Sequence, residues 1–405
     1  KTNLLFIKMT NTTMRSLWLT ASLLLGSTVG FAQDNLVNSL KNNQSENSAT
    51  SFKFTPVINT EATSVKNQKS SGTCWSYSTN SFLESEMIRM GKKPVDLADL
   101  FTARNAYVEK GINYVRMHGA LTLGDGGACH DVINMFAKYG ALPQEVYSGN
   151  DYGAPGSSDR MNNLTKAILE NAVKAPDGKL DPNWKTKYIA TIDSCMGAVP
   201  EKFTYEGKEY TPKTFAKEVV GINPEDYVEL SSFNTSPYYK KAVLMVPDNW
   251  SYDQVYNVQM DDITKIIDNA LKGGYSVAWA TDVSEKGFSW KNGVAYVPEK
   301  NFDSMTDEEK KAMFNGPKAE KEITVDLRQA AFDDYQTTDD HGMQITGLAK
   351  DQNGKEYYIV KNSWGATNDY NGYLYVTKNF VKYKTTAFLL HKKGIPSDIR
   401  KKLDL

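Results

Sequence analysis

The run NQKSSGTCWSY, Asn67 to Tyr77, places one cysteine where an amphipathic helical pattern begins. A thiol at the first turn of a helix meets unsatisfied backbone N–H groups and the positive end of the helix dipole, and both favour a thiolate. A nearby imidazole lowers the thiol pKa further and yields an ion pair able to attack a carbonyl near neutral pH. The chain has four histidines, His118, His130, His341 and His391. His341 is the best placed of them. It heads the run HGMQITG, Asn362 stands near the end of IVKNSWG, and the hairpin signal Asp351-Gln352-Asn353-Gly354 lies between. Folding the two runs about Gln352 and Asn353 pairs positions whose numbers sum to about 705, so His341 opposes about 364 and Asn362 falls roughly one rung away. There its side-chain oxygen accepts from one imidazole nitrogen and leaves the other for the thiol. Nucleophile, base and orienting group follow in chain order as Cys74, His341 and Asn362.

Acyl transfer also needs donors aimed at the oxygen that turns negative in the tetrahedral intermediate. Gln68 precedes Cys74 across the Ser70-Ser71-Gly72 loop, and its side-chain amide together with the Cys74 N–H can supply two. Gly126 and Gly127, in LGDGGACHD, offer backbone without side chains to an extended peptide pairing as an added strand. A lone cysteine is more often an apolar filler, and a lone histidine a satisfied strand end. The ordered set of motifs argues against that here. His118, His130 and His391 lack metal-ligand spacing, Cys129 with His130 has no second half for zinc, and all are read as structural. The mixed-charge run Thr306 to Glu322 reads as a solvated surface.

These groups must be carried by regular elements. After Cys74 the residues Trp75, Phe82, Leu83, Met87 and Met90 fall near one helical face, with Gly91 as the stop. Asp131 to Gly140 is a second amphipathic run, and DDITKIIDNALKGG a third, with Ile263, Ile266, Ile267, Ala270 and Leu271 together. YSVAWATDV from Tyr275, the two arms around Gln352, and GYLYVTK read as strands. A helical half followed by an antiparallel β half is an α+β architecture.

The totals fit such a chain. With 405 residues, 40% of them apolar, it can build a sizeable core, and 47 basic against 48 acidic residues give no electrostatic footprint for nucleic acid or an anionic membrane. Met14 to Gln33, MRSLWLTASLLLGSTVGFAQ, has the three parts of an export signal with cleavage after Ala32, which predicts a periplasmic or extracellular protein with no stable membrane insertion once cut. The polar run to Ser51 reads as a linker. Three cysteines are too few for a disulfide framework, and Cys129 and Cys195 either pair or are separately buried.

The combination NQKSSGTCW, GDGG, DHGM and VKNSWG resembles the papain-like cysteine peptidases, and more closely their bleomycin hydrolase and aminopeptidase C branch. The middle run AVPEKFTYEGKEYTPKTFAKEVV is similar to that branch as well, so the likeness extends from about Val57 to about Arg400. It implies Cys74 as nucleophile, His341 as general base and acid, Asn362 as the His-orienting residue and Gln68 as oxyanion donor. Gly126, Gly127 and Trp364 go to the substrate side of the site, Trp364 as the indole over the Asn362–His341 hydrogen bond. It implies a two-lobed fold with Cys74 on a central helix and His341 and Asn362 on the β half. The Cys74–His341 separation exceeds the roughly 130 to 150 residues of papain-type enzymes, so a large helical insertion is expected. In that branch an insertion of this kind forms a hook that assembles a hexameric ring, which implies a homo-oligomer. Ser71 stands where papain has a cysteine, removing one disulfide.

The predicted organisation is a signal peptide at 1–32, a linker at 33–54, a helical lobe at 55–150, a hook-like insertion at 151–260, a β-rich lobe at 261–391 and a tail at 392–405. The tail, KKGIPSDIRKKLDL, is about an arm short of the one that blocks the cleft in that branch, which predicts a cleft open to longer peptides. The expected activity is peptide hydrolysis through an acyl-enzyme on a Cys-His-Asn triad, with aminopeptidase action foremost and endopeptidase action as the variant. It needs no metal or cofactor, and no nucleic-acid partner is expected. The rival readings are an acyltransferase or amidase on the same scaffold, and a catalytically silent peptide-binding protein.

Overall fold

The computed structural model describes residues 52–175 and 178–405. The export segment and the linker up to Ser51 lie outside the described residues. The last part of the predicted linker is already structured. Phe52 is buried, and Phe54 opens strand β1 (Phe54–Asn59) with its ring stacked 3.8 Å from that of Tyr375.

Helix α1 (Cys74–Arg89) begins at the cysteine, and Gly91 takes a φ of +73° that ends the run as expected. α1 is the central helix expected, with Phe82, Leu83 and Met87 in the helical-lobe core and the polar Ser76, Thr79, Asn80, Ser81, Glu84 and Ser85 buried too. It lies between two layers, so its polar residues are buried with partners: Ser81 Oγ donates to Gln344 Oε1 at 2.7 Å and Gln344 Nε2 donates to Ser85 Oγ at 2.9 Å. Around it pack α2 (Asp99–Arg116) and α3 (Cys129–Tyr139), the latter closed by Gly140 at φ +86°.

Eleven strands among the described residues form one sheet. They are β1, β2 (Tyr227–Ser231), β3 (Lys240–Val243), β4 (Gln254–Asn257), β5 (Val277–Thr281), β6 (Phe288–Ser289), β7 (Val294–Ala295), β8 (His341–Asp351), β9 (Glu356–Lys361), β10 (Tyr373–Thr377) and β11 (Thr385–His391). Their order is β3-β4-β2-β11-β5-β8-β9-β10-β7-β6, with β1 added along β8. The β8–β9 register joins Gln344 to Lys361 and Lys350 to Glu356, as the hairpin predicted from Gln352 and Asn353 requires. Asp351 Oδ1 accepts from the N–H groups of Asn353 and Lys355, and Gly354 takes φ +83°. One bulge between Ile345 and Gly347 shifts the register by a single residue, too little to move His341 from Asn362. Helix α6 (Met260–Lys272) lays Ile263, Ile266, Ile267, Ala270 and Leu271 on the sheet, and each large aliphatic chain so buried contributes about 1.5–3 kcal/mol of hydrophobic stabilisation.

Besides a short helical run at 212–220, the 151–260 stretch has its two long helices in its first half. There α4 (Ser157–Val173) and α5 (Trp184–Met196) pack on each other and on α2, with Arg104 and Asp193 in a salt bridge of 2.6 Å. Its second half supplies β2, β3 and β4 to the main sheet, where Leu230 pairs with Phe388 of β11. The short runs YVELS and QVYN gain their strand character from pairing with distant segments, which local periodicity does not report. The tail docks on the β lobe, with Ile395, Ile399 and Leu403 buried in the same core as α6.

Candidate active site

Cys74 and His341 line one pocket, together with Trp75, Gly126, Gly127 and Gly342. Gly342 accounts for how close the two halves come. A methyl group at its Cα would lie 3.1 Å from the Trp75 Cα and 3.2 Å from the Trp75 nitrogen, so the start of β8 runs directly against the start of α1. The residue after the histidine thereby meets the residue after the cysteine.

His341 Nε2 lies 2.7 Å from Asn362 Oδ1. The amide oxygen accepts only, so this contact assigns the proton to Nε2 and leaves Nδ1 as the basic nitrogen. Asn362 is fixed in turn: Oδ1 also accepts from the Ser363 N–H at 2.7 Å, and the Asn362 N–H donates to the Gly372 carbonyl. The Trp364 ring lies 4.5 Å from the His341 ring, and Trp290 packs edge-on behind it at 5.2 Å. At 1% exposure Trp364 does not line the pocket. Its placement on the substrate side is therefore corrected: the indole covers the imidazole and does not face a peptide.

Gln68 departs further from expectation. It does not line the pocket, and its amide is bound behind the Cys74 loop, Nε2 donating to the Ser71 carbonyl at 2.7 Å and Oε1 accepting from Ser363 Oγ at 2.6 Å. One of its two amide hydrogens remains for an oxyanion. The Cys74 N–H stands at the first helical position, where the positive end of the helix dipole points. Gly126 and Gly127 do line the pocket, and a side chain on Gly127 would strike the Trp75 indole at 2.8 Å.

The expected low thiol pKa is not met. Burial pushes the Cys74 thiol up to about 12, and the nearby carboxylates Asp248 and Asp339 push the same way, while hydrogen bonds from the backbone of Gly342 and Trp75 oppose them. Desolvation thus outweighs the helix terminus. The cost is that of a lone thiolate; passing the proton to His341 Nδ1 leaves an ion pair with no net charge, which burial penalises far less.

Several residues here are given no role by the sequence reading. Asp125, one position before the glycines, ties the nucleophile loop to the glycine wall. Its carboxylate accepts from the Gly72 N–H and from Tyr152 and Asn162, and its carbonyl accepts from Trp75 Nε1 at 2.9 Å. Lys110 is buried and donates to the carbonyls of Gly124 and Gly126. Asp248 lines the pocket from a segment that no motif marked, and Asp339 from two positions before His341. Cys129 also lines it, and Cys129, Cys195 and Cys74 are all free thiols, which resolves the open pairing in favour of no disulfide.

Beside this pocket, His130 Nδ1 pairs with Glu229, while Nε2 lies 3.3 Å from Ser251 Oγ. Burial alone would lower its pKa, but Glu229, Asp131 and Asp253 outweigh that and raise it to about 10. With the folded value above the unfolded value of about 6.5, this pair stabilises the fold fully below pH 6.5 and its contribution is lost as pH rises towards 10. Wild type is therefore expected to melt above His130→Gln by an amount that shrinks between pH 6.5 and 10. A gap that stays constant across thermal melts in this range would contradict the assignment.

A family model described as the Peptidase C1-like family matches residues 107–405. The chain belongs to that family. The matched stretch holds His341 and Asn362, and full-length relatives extend the likeness over the Cys74 part. Aminopeptidase C of Lactobacillus delbrueckii subsp. lactis is 25% identical, with 90% of this chain and 87% of the relative covered. Bleomycin hydrolase of Mus musculus is also 25% identical, over 85% of this chain and 84% of its own. Among solved structures, PepW from Lactobacillus rhamnosis superposes with a TM-score of 0.67 at 19% identity, covering 98% of this chain and 95% of that one. The α+β cysteine peptidase expected from the sequence, of the bleomycin hydrolase and aminopeptidase C branch, is therefore what the chain is.

Proposed function

We propose that this chain is a thiol aminopeptidase in which Cys74, His341 and Asn362 form the catalytic triad. The observation that carries the reading is the His341 Nε2–Asn362 Oδ1 hydrogen bond on an imidazole that shares its pocket with Cys74. His341 Nδ1 takes the Cys74 proton as the sulfur attacks the carbonyl of the substrate's first residue. The Cys74 N–H and the remaining Gln68 amide hydrogen hold the oxyanion. Imidazolium at His341 then protonates the leaving amine, the C–N bond breaks, and a thioester remains on Cys74. Water, deprotonated by His341, attacks the thioester and restores the thiol. The name of one relative, aminopeptidase C, supports an exopeptidase rather than an endopeptidase.

The test compares peptides of one sequence with free and N-acetylated termini. The expected result is a kcat/KM at least about tenfold higher for the free form, a margin worth about 1.4 kcal/mol. Equal cleavage of both forms, or internal cuts in the acetylated peptide, would rule out the aminopeptidase reading.

A further inference from the structure

Between β3 and β4 the chain runs LMVPDNWSYD, residues 244–253, and this segment reaches into the catalytic pocket. It is rigidly tied. Asn249 Nδ2 donates to the carbonyls of Leu244 and Asp253, both at 2.9 Å, and Asn249 Oδ1 accepts from the Asp253 N–H at 3.0 Å. The buried Trp250 donates from Nε1 to Asp131 Oδ2 at 2.9 Å, anchoring the segment to α3. The side chain held between these anchors is Asp248.

Its carboxylate lies against Gly126, so closely that a methyl group there would come within 1.9 Å of Asp248 Oδ2. A peptide pairing along the glycine wall would meet that carboxylate. This segment thus forms one wall of the cleft beside the glycines, while the tail is docked on the β lobe. The pocket encloses about 300 Å³ of space between its walls and the solvent.

The Asp248 carboxylate, half-buried, accepts no hydrogen bond among the described residues. Lys110 carries a nearby positive charge, but its ammonium group is turned to the Gly124 and Gly126 carbonyls. Asp339 adds a second acidic group on the pocket wall, held by Thr386 Oγ1 at 3.2 Å. A partly desolvated carboxylate without a hydrogen-bond donor is costly unless a donor arrives from outside. In a peptide's first residue the α-nitrogen is two bonds, about 2.5 Å, from the carbonyl carbon under attack. A substrate whose carbonyl sits at Cys74 therefore brings its own ammonium group into the space that Asp248 walls.

We propose that Asp248 is the specificity-determining carboxylate of this peptidase, accepting the α-ammonium group of the substrate's first residue so that hydrolysis removes N-terminal residues. This rests on the aminopeptidase reading above and assigns it to a segment that belongs neither to the triad nor to the chain's end.

The test measures kcat and KM for free and N-acetylated forms of a panel of aminoacyl amidomethylcoumarins, with wild type, Asp248→Asn and Asp248→Glu. A charge-assisted hydrogen bond lost from the ground state and transition state alike raises KM; the expected effect of Asp248→Asn is a rise in KM of about 10- to 100-fold for the free-amine form. The free-to-acetylated ratio of kcat/KM falls by the same factor, and Asp248→Glu restores part of it. Alkylation of Cys74 by iodoacetamide is not slowed in Asp248→Asn, since loss of a neighbouring negative charge favours the thiolate. Asp248→Ser, read in the same way, serves if the asparagine variant does not fold. A wild type that shows the free-amine preference and an Asp248→Asn that keeps it would overturn this proposal alone. A wild type with no such preference would overturn the aminopeptidase reading and this proposal with it.

Discussion

Replacing Cys74 by alanine is expected to lower kcat by about 10⁴- to 10⁶-fold on any peptide the wild type cleaves, as removal of a triad nucleophile does. In the proposed mechanism the sulfur is the atom that forms the acyl bond, and neither other thiol can substitute. Cys129 shares the pocket but is itself buried at the start of α3, and Cys195 lies on α5 away from the pocket lining. The fold should survive, because alanine fits the first helical position and the side chain lost is small. Steady-state hydrolysis of a free-amine peptide, with a melting curve beside it, checks this. Residual activity within tenfold of wild type in a folded variant would remove Cys74 from the mechanism.

His341→Ala carries an effect almost as large, and its size follows from the pocket's electrostatics. With the thiol pushed up to about 12 by burial and by the charges of Asp248 and Asp339, hardly any thiolate would exist at pH 7 without a proton acceptor beside it. A loss of about 10³- to 10⁵-fold in kcat/KM is expected at pH 7. The pH dependence changes with it. The wild type has His341 to take the proton, so its rate does not wait for the free thiol to titrate. In His341→Ala the rate should climb roughly tenfold per pH unit from 7 to 10, because ionisation of Cys74 to solvent becomes the route to the nucleophile. A variant profile parallel to that of wild type would show that the imidazole does not serve the sulfur.

The parts of the site fixed by local pattern were legible in the sequence. The Asp351–Gly354 turn sets the β8–β9 register by itself, and the register brings His341 to Asn362. Cys74 opens α1 because the apolar periodicity starts there, and Gly126 and Gly127 face the pocket as their lack of side chains suggested. What local pattern does not hold is the environment. The pocket's carboxylates come from the 244–253 segment and from the residues before β8, and nothing in VPDNW signals that it folds onto a glycine more than a hundred positions earlier. Desolvation of the thiol, which reverses the expected direction of its pKa, arises from that same closure. The burial of the polar faces of α1 is illegible for a related reason. Buried serines and a buried glutamate look like a solvated face until the second layer that satisfies them is in place, as Lys66 satisfies Glu84 at 2.8 Å. Gln68 keeps the spacing of an oxyanion donor, yet its amide also braces the loop through Ser71 and Ser363, a double duty that spacing does not reveal.

The account depends on the Cys74 sulfur being made nucleophilic by His341 inside this closed pocket. The most direct measurement is labelling of wild type and His341→Ala with a peptidyl epoxide at pH 7, followed by peptide mapping by mass spectrometry. The account predicts a single adduct on Cys74 in the wild type, formed in step with loss of hydrolysis and absent from His341→Ala over the same interval. An adduct on Cys195 in place of Cys74, or hydrolysis that continues unchanged once Cys74 is modified, would contradict it.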